Sequence, residues 1–392
     1  MPQTGPEVWA VCLTSNNWRT ILIRIVTETA VRLLAQPAFP CSSMTWTISV
    51  AGDPQTVPAE DGETILDAML RHGVGFAYSC QAGNCGTCKC EYIAGDIMEL
   101  EYSEHALSPG ERERGVILAC RAQVWGDVEI ARLSAEEFVM HPSRVMQCRV
   151  AELTPVTHDV MRLRLTIESG GPYTFTGGQF AKLQFPFAAE TPRDYSMANR
   201  PDESTLEFHI RCIAGGISGQ LRSHLAIGDT VRVSGPFGTA YLREQHEGPI
   251  VAIAGGTGLA PIRSIVATAL AKGTKRPIHL YFGVRGERDV YAEEELRELA
   301  RRHPNLIVHI VLSDEAGTSR AGDRRRGLVT EAVGADFPSL EGFQAYLAGP
   351  PVMVDAATEL MVARGIAPRD IHADAFYSAV EPNDKKAVES PA

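Results

Sequence analysis

Residues 79 to 88 read Ser79-Cys-Gln-Ala-Gly-Asn-Cys-Gly-Thr-Cys88, and this stretch decides how the first part of the chain folds. Cys80, Cys85 and Cys88 have the spacing C-x4-C-x2-C, and Cys120 follows after 31 intervening residues. Four thiolates in this arrangement can converge on two irons, so the loop reads as the holder of a [2Fe-2S] cluster. Gly83 and Gly86 permit a tight turn that brings backbone amides toward the sulfurs, where they stabilise the negative charge added on reduction. Structural zinc is the alternative, but zinc sites commonly pair two C-x2-C units, and this sequence holds one. Cys90 competes with Cys120 as fourth ligand; two residues past Cys88 at the start of a strand, it reads as a buried thiol. Cys12, Cys41, Cys148 and Cys212 lie outside any ligand spacing and read as core or incidental residues.

Before the loop, the sequence alternates as a strand from Thr47, and residues 64–73 form a short amphipathic helix closed by Gly73. After Cys120, residues 122–130 return to a strand pattern, and Ser134-Ala-Glu-Glu137 is a capping-box signal for a short helix or linker turn. Runs of β-branched and apolar residues at 160–167, 180–185, 206–213 and 230–233, separated by glycine and proline turns, predict a small antiparallel barrel. Beyond Gly248 strands alternate with helices: strand 250–254, helix to Lys272, strand 278–282, helix to Arg302, strand 306–312. That alternation predicts a doubly wound parallel sheet. The expected chain is multidomain, with segments 44–138 (α+β), 139–247 (antiparallel β-barrel) and 248–378 (α/β). Residues 1–43 show no regular period and are expected to be an extension or the product of a misassigned start, and 379–392 a loose tail.

The block 79–88 closely resembles the binding loop of plant-type ferredoxins, which implies a β-grasp fold for its segment. Arg193-Asp-Tyr-Ser196 resembles the R-x-Y-S motif of the ferredoxin reductase superfamily. There the resemblance gives Tyr195 the task of stacking on a flavin ring, Ser196 that of bonding the N5 that accepts hydride, and Arg193 that of neutralising phosphate. His209-Ile210-Arg211 precedes Gly215-Gly216-Ile217-Ser218, which is expected to open a helix to about Leu225 whose free amides hold the flavin diphosphate. FAD rather than FMN follows from the same resemblance, since members with an amino-terminal ferredoxin domain use FAD. Gly235-Pro-Phe-Gly238 with Tyr241 resembles the turn near the end of the flavin barrel.

Residues 250–261 run strand, glycine turn and helix start, with Gly255, Gly256, Thr257, Gly258 and Pro261 in the G-G-x-G-x-x-P form of that superfamily. Gly349, Pro350 and Met353 resemble its late C-G-P-x-x-M signature, with Ala348 where a cysteine is usual. This departure bears on hydride-transfer rate, not on binding. Asp374-Ala-Phe376-Tyr377 matches the segment whose acidic and aromatic residues lie beside the flavin, so Ser196, Asp374 and Phe376 are the expected catalytic residues. Ser313 and Asp314 follow the strand where adenosine should bind, and an aspartate there disfavours a 2′-phosphate, so NADH is the expected reductant.

The order ferredoxin, flavin, nicotinamide resembles the reductase component of bacterial aromatic-ring dioxygenases and multicomponent monooxygenases. It implies an oxygenase or an intermediary ferredoxin as partner. A reductase of the same architecture feeding a deoxysugar-forming dehydratase is the rival. Net charge of -11 argues against nucleic acid. Most of that charge sits in the first segment: residues 44–138 hold 16 acidic and 6 basic side chains, against 10 and 11 in residues 144–245. No apolar run reaches the ~18 residues of a membrane span, and the amino terminus lacks a secretory pattern. A cytoplasmic protein is expected, and there nine cysteines, an odd number, are not a disulfide framework.

Overall fold

The computed structural model describes residues 45–78, 80–104, 106–133, 141–314 and 324–377. The expected capping turn at 134–137, the segment 1–43 and the tail from 379 lie outside the described residues.

The first sheet is built from β1 (Thr45–Val50), β2 (Thr56–Glu60), β3 (Lys89–Glu99), β4 (Val116–Leu118) and β5 (Ala122–Arg132), in the order β2-β1-β5-β3-β4. Only β1 and β5 pair in parallel, the mark of a β-grasp sheet. Helix α1 (Ile65–Arg71) starts where the Thr64 hydroxyl accepts the Asp67 amide proton, and it buries Ile65, Leu66, Ala68 and Met69 against the sheet. A second helix, α2 (Pro109–Glu113), begins with a full Ser108/Glu111 capping box.

Six antiparallel strands follow: β6 (Arg144–Pro155), β7 (Val160–Ser169), β8 (Phe180–Gln184), β9 (Arg193–Ser196), β10 (Thr205–Arg211) and β11 (Thr230–Phe237). Their order is β10-β7-β6-β11-β8-β9, and a bridge between Met197 and Phe208 closes the sheet on itself as the predicted barrel. Its filling includes Met146, Leu163, Leu183, Phe208 and Val231, all fully buried. The helix expected from Gly215 to about Leu225 is shorter. A 3-10 turn over Ile217–Gln220 leads into α3 (Leu221–His224). Glycines 215, 216 and 219 weaken helix formation, and the Ser218 hydroxyl is engaged by the Ile213 amide (3.1 Å).

The third sheet is wholly parallel: β12 (Ile250–Gly255), β13 (Ile278–Val284), β14 (Leu306–Leu312), β15 (Arg324–Arg326), β16 (Gln344–Gly349) and β17 (Ile371–Ala375), in the order β15-β14-β13-β12-β16-β17. It is flanked by α4 (Leu259–Ala271), α5 (Glu293–Arg302), α6 (Val329–Asp336) and α7 (Pro351–Ala363). β12 and β16 are buried along their whole length, as strands covered on both faces must be. The chain leaves β12 in one direction to β15 and returns to its other side at β16, so the switch point lies between these two strands, where such folds open a crevice. The glycine turn after β12 and the Gly349-Pro350 turn after β16 face each other there. A Cβ on Gly258 would stand 2.1 Å from the Ala348 carbonyl oxygen, so that position requires glycine.

Candidate functional site

In the cysteine loop, the Ala82 and Asn84 amides donate to the Cys80 sulfur (3.4 and 3.3 Å), the Cys80 amide donates to the Cys85 sulfur (3.5 Å), and the Cys88 and Cys120 sulfurs are 3.2 Å apart. Amides aimed at sulfur are what the glycine spacing anticipates. A Cβ on Gly86, whose φ is +70°, would lie 2.6 Å from the Ala106 carbonyl oxygen. Two hydrogen-bonded thiol pairs result. Within each pair the shared bond holds one thiol down, Cys80 at about 5 and Cys120 below its ordinary value, and pushes its partner, Cys85 or Cys88, well up. Four thiolates gathered this closely would repel one another. A cationic centre must supply the balancing charge, and this all-sulfur donor set with inward amides fits the two ferric ions of a cluster. Cys90 points into the core from β3, and burial pushes its thiol up to about 12.

The loop is fastened to the barrel. Thr239 clamps Tyr78, two residues before Cys80: the Tyr78 amide donates to the Thr239 hydroxyl (3.2 Å), while the Thr239 amide and hydroxyl donate to the Tyr78 carbonyl (3.1 and 2.9 Å). Next to this contact run β8 and β9, in register Phe180 with Ser196 and Leu183 with Arg193. Tyr195 is half-buried, its ring 6.1 Å from that of Phe185. The Ser196 hydroxyl donates to the Asp374 carboxylate across 3.3 Å, joining the barrel to β17, and both residues are buried. Asp374 is in register with Ala348, and the Phe376 amide donates to the Gly349 carbonyl (2.8 Å). The three residues expected to be catalytic thus gather around the end of β16.

His209 is arranged differently from a ligand-facing side chain. Its ring is buried, with Nε2 3.0 Å from Glu207 and Nδ1 3.2 Å from the Tyr291 hydroxyl, which is also 3.3 Å from the Gly256 carbonyl oxygen. Glu207 accepts as well from Arg164 (2.8 Å) and Arg263 (3.1 Å). Burial alone would raise its carboxyl, but His209, Arg263 and Arg164 hold it well below the usual carboxylate range. Burial in turn holds the His209 imidazole below its ordinary value, against the pull of Glu207. This network ties β7 and β10 to α4 and to the glycine turn. Sequence reading missed it, because no local pattern links Arg164, Glu207, Arg263 and Tyr291.

A cleft of about 240 Å³ opens at the switch point. Among its lining residues are the expected Arg211, Gly255, Gly256, Thr257, Ser313, Pro350 and Met353, together with Asp159, Arg285, Asp289 and Tyr291. Gly258, Pro261 and Gly349 pack behind this lining, Pro261 within the first turn of α4. Ile210 is buried in β10, and Gly215, Gly216, Ile217 and Ser218 follow that strand outside the cleft lining. Asp314 donates its amide to the Arg285 carbonyl (2.9 Å), and Ser313 donates its hydroxyl to Asp314 (3.3 Å). On the adjacent β15, Arg324 is paired with Glu287 and Glu293, and Arg325 with Asp336. Glu315 and Arg320 lie outside the described residues. Among the described residues no helix is long and apolar enough to cross a membrane.

Three family models match in the same order: a 2Fe-2S iron-sulfur cluster binding domain over 48–124, an oxidoreductase FAD-binding domain over 147–241 and an oxidoreductase NAD-binding domain over 252–359. The chain is 45% identical over 324 residues to the ferredoxin--NAD(P)(+) reductase component of the naphthalene 1,2-dioxygenase/salicylate 5-hydroxylase systems of a Ralstonia species, covering 81% of this chain and 95% of that protein. It is 41% identical to the corresponding component of the naphthalene 1,2-dioxygenase system of Pseudomonas putida, over 82% of this chain and 95% of that one. Among solved structures it is similar to an Amycolatopsis cytochrome P450 reductase, at 38% identity and a TM-score of 0.73, covering 85% of this chain and 99% of the other. These relatives lend no support to the dehydratase rival. With all three cofactor domains matched and relatives of this identity and coverage, the chain belongs to the reductase components of multicomponent oxygenases, which carry electrons from NAD(P)H through FAD and a [2Fe-2S] cluster.

Proposed function

We propose that this chain prefers NADH and serves an aromatic-ring oxygenase, delivering electrons to an intermediary ferredoxin or to the oxygenase itself. Similarity to two reductase components named for ferredoxin reduction in naphthalene systems supports the ferredoxin as first choice. The flavin supplies the conversion from a two-electron hydride donor to one-electron delivery. The observation that carries the site assignment is the Ser196–Asp374 hydrogen bond, since it brings a flavin-motif hydroxyl and a carboxy-terminal carboxylate together at the end of β16.

In this reading Cys80, Cys85, Cys88 and Cys120 hold the cluster. Arg193 meets phosphate, Tyr195 stacks on the flavin and Ser196 turns its hydroxyl from Asp374 to donate to the hydride-accepting nitrogen, with the Asp374 carboxylate beside the ring. The backbone of residues 209–211 and 215–218 accommodates the rest of the flavin. Gly255 to Gly258, Pro261, Gly349, Pro350 and Met353 shape the nicotinamide crevice, and Phe376 covers the flavin face. Segments 44–138, 139–247 and 248–378 act as cluster, flavin and nucleotide domains, and the protein works in the cytoplasm, where thiols stay reduced.

The preference for NADH draws on Asp314 beside the adenosine end of the cleft and on the pairing of Arg324 and Arg325 with carboxylates, which leaves those two cations engaged. The test is kcat/KM for both nucleotides. NADH should lead clearly, and Asp314→Arg should narrow the gap by about tenfold by offering the 2′-phosphate a charged partner. A wild-type protein that favours NADPH overturns this choice.

A further inference from the structure

A polar bridge joins the cluster loop to the flavin strands, and neither the cysteine spacing nor the R-x-Y-S motif accounts for it. Lys182 lies on β8 in register with Asp194, inside the motif strand β9. Its ammonium donates to the side-chain oxygen of Gln81 (3.1 Å), the residue next to Cys80. The same ammonium sits 5.2 Å from the ring centroid of Phe237, which itself packs on the core of the first domain. Lys182 thus touches the flavin strands, the cluster loop and the seam between them.

Gln81 has features that an incidental loop residue would lack. Its φ is +54°, a left-handed backbone that among the described residues only one other non-glycine residue, Ala292, adopts. Such a conformation persists where the surroundings impose it, and it clusters at functional sites. The Gln81 amide nitrogen is also buried without a hydrogen-bond partner while the amide oxygen is held by Lys182. Together with the Tyr78–Thr239 clamp, the bridge fixes the chain on both sides of Cys80 to the barrel.

We infer that Lys182 is a positioning residue for electron transfer between the two cofactors. Through Gln81 it holds the Cys80 side of the cluster loop against the flavin strands, and its charge favours the arrival of an electron on the cluster side of the seam. The step is the passage of one electron: no bond forms or breaks, and the electron lost by the flavin is the one gained by a ferric iron. A cation bonded to the residue next to Cys80 favours the added negative charge, because net charge and hydrogen bonding around a cluster set its potential. Holding the loop shortens and fixes the gap that the electron crosses. The inference rests on the cluster and flavin assignments made above.

The test uses the full chain with both cofactors bound. In wild type, Lys182→Met and Lys182→Arg, the cluster potential is followed by EPR during a redox titration, and anaerobic stopped-flow mixing with NADH separates flavin reduction from cluster bleaching. Lys182→Met keeps the aliphatic stem and removes the charge and the donor. It should shift the cluster potential to more negative values and slow cluster bleaching by about tenfold or more relative to flavin reduction. Lys182→Arg should restore most of both. Gln81→Leu, which removes the acceptor and leaves Lys182 in place, should slow bleaching with a smaller change in potential, and it keeps the test open if the Lys182→Met protein is poorly folded. Equal potentials and equal bleaching rates in wild type, Lys182→Met and Gln81→Leu overturn the inference. A wild-type protein without iron-sulfur absorbance would instead overturn the cluster assignment beneath it.

Discussion

The cluster loop and the flavin–nicotinamide junction are built on opposite principles. Three of the four thiols of the loop lie within nine residues of sequence, and Cys80 and Cys85 remain partly exposed. The junction draws Arg164, Glu207, Arg263, Tyr291 and Asp374 from across the second and third domains, and it buries Glu207, Tyr291 and Asp374. The loop's ligands are set by neighbouring positions in the sequence, whereas the junction's buried charges are brought together from distant parts of the chain. The first region gathers its sulfurs in one short segment fastened to the barrel, and the second holds the geometry between two domains.

The contrast is broken most severely at a cluster sulfur. Cys85→Ser should abolish iron-sulfur absorbance and the cluster EPR signal while the flavin spectrum and NADH-dependent ferricyanide reduction survive. Cys90→Ser should keep the cluster. If the Cys90 variant loses the cluster and a Cys120 variant retains it, the ligand assignment is reversed.

At the junction, Glu207→Ala should remove the buried carboxylate that Arg164, Arg263 and Arg162 share, leaving them only their more exposed partners Glu152 and Glu295. Breaking a buried pair so that a charge is left uncompensated costs about 3–5 kcal/mol. With Glu152 and Glu295 still in place the loss should fall toward or below the lower end of that range, and denaturant unfolding can read it directly. Glu207→Gln, which retains the shape and some hydrogen bonds, should cost less. A Glu207→Ala protein as stable as wild type would mean that the network is not what holds these domains together.

A smaller and graded effect is expected with pH. Burial keeps the imidazoles of His209 and His372 below their ordinary values, His372 at about 3, so each takes up a proton less readily in the folded protein than in the unfolded chain. Below a pH of about 6.5 the unfolded chain takes up more protons at these positions than the folded one. Stability should therefore be full above that pH and decline as pH falls, by up to about 1.4 kcal/mol per unit for each such histidine. Thermal unfolding at pH 7.5 and 5.5 should show the fall, and His209→Gln should flatten it in part. An unchanged slope in that variant would contradict the burial argument.

The same contrast explains what the sequence made legible. The β-branched runs and the strand-helix alternation are local, and they foretold the barrel and the parallel sheet, while the β-grasp sheet followed from the resemblance of residues 79–88 to the plant-type ferredoxin loop. Strand β14 falls on residues 306–312 as expected, because an apolar run bounded by Asn305 and Ser313 leaves little freedom. Less was legible where tertiary contacts decide. The ring of His209, a residue of the expected flavin segment, is bonded to Glu207 and Tyr291, contacts supplied by folding and not by the motif. The helix after Gly215 came out shorter because three glycines and a tied-back Ser218 oppose it. The Lys182–Gln81 bridge spans 101 residues and had no local signature.

The account's central claim is the order of electron flow, and anaerobic stopped-flow mixing of the oxidised protein with excess NADH tests it most directly. Flavin absorbance should fall first, cluster absorbance should bleach in a later phase, and Cys85→Ser should retain the first phase and lose the second. Bleaching of the cluster before the flavin, or a second phase that persists without Cys85, would contradict the account.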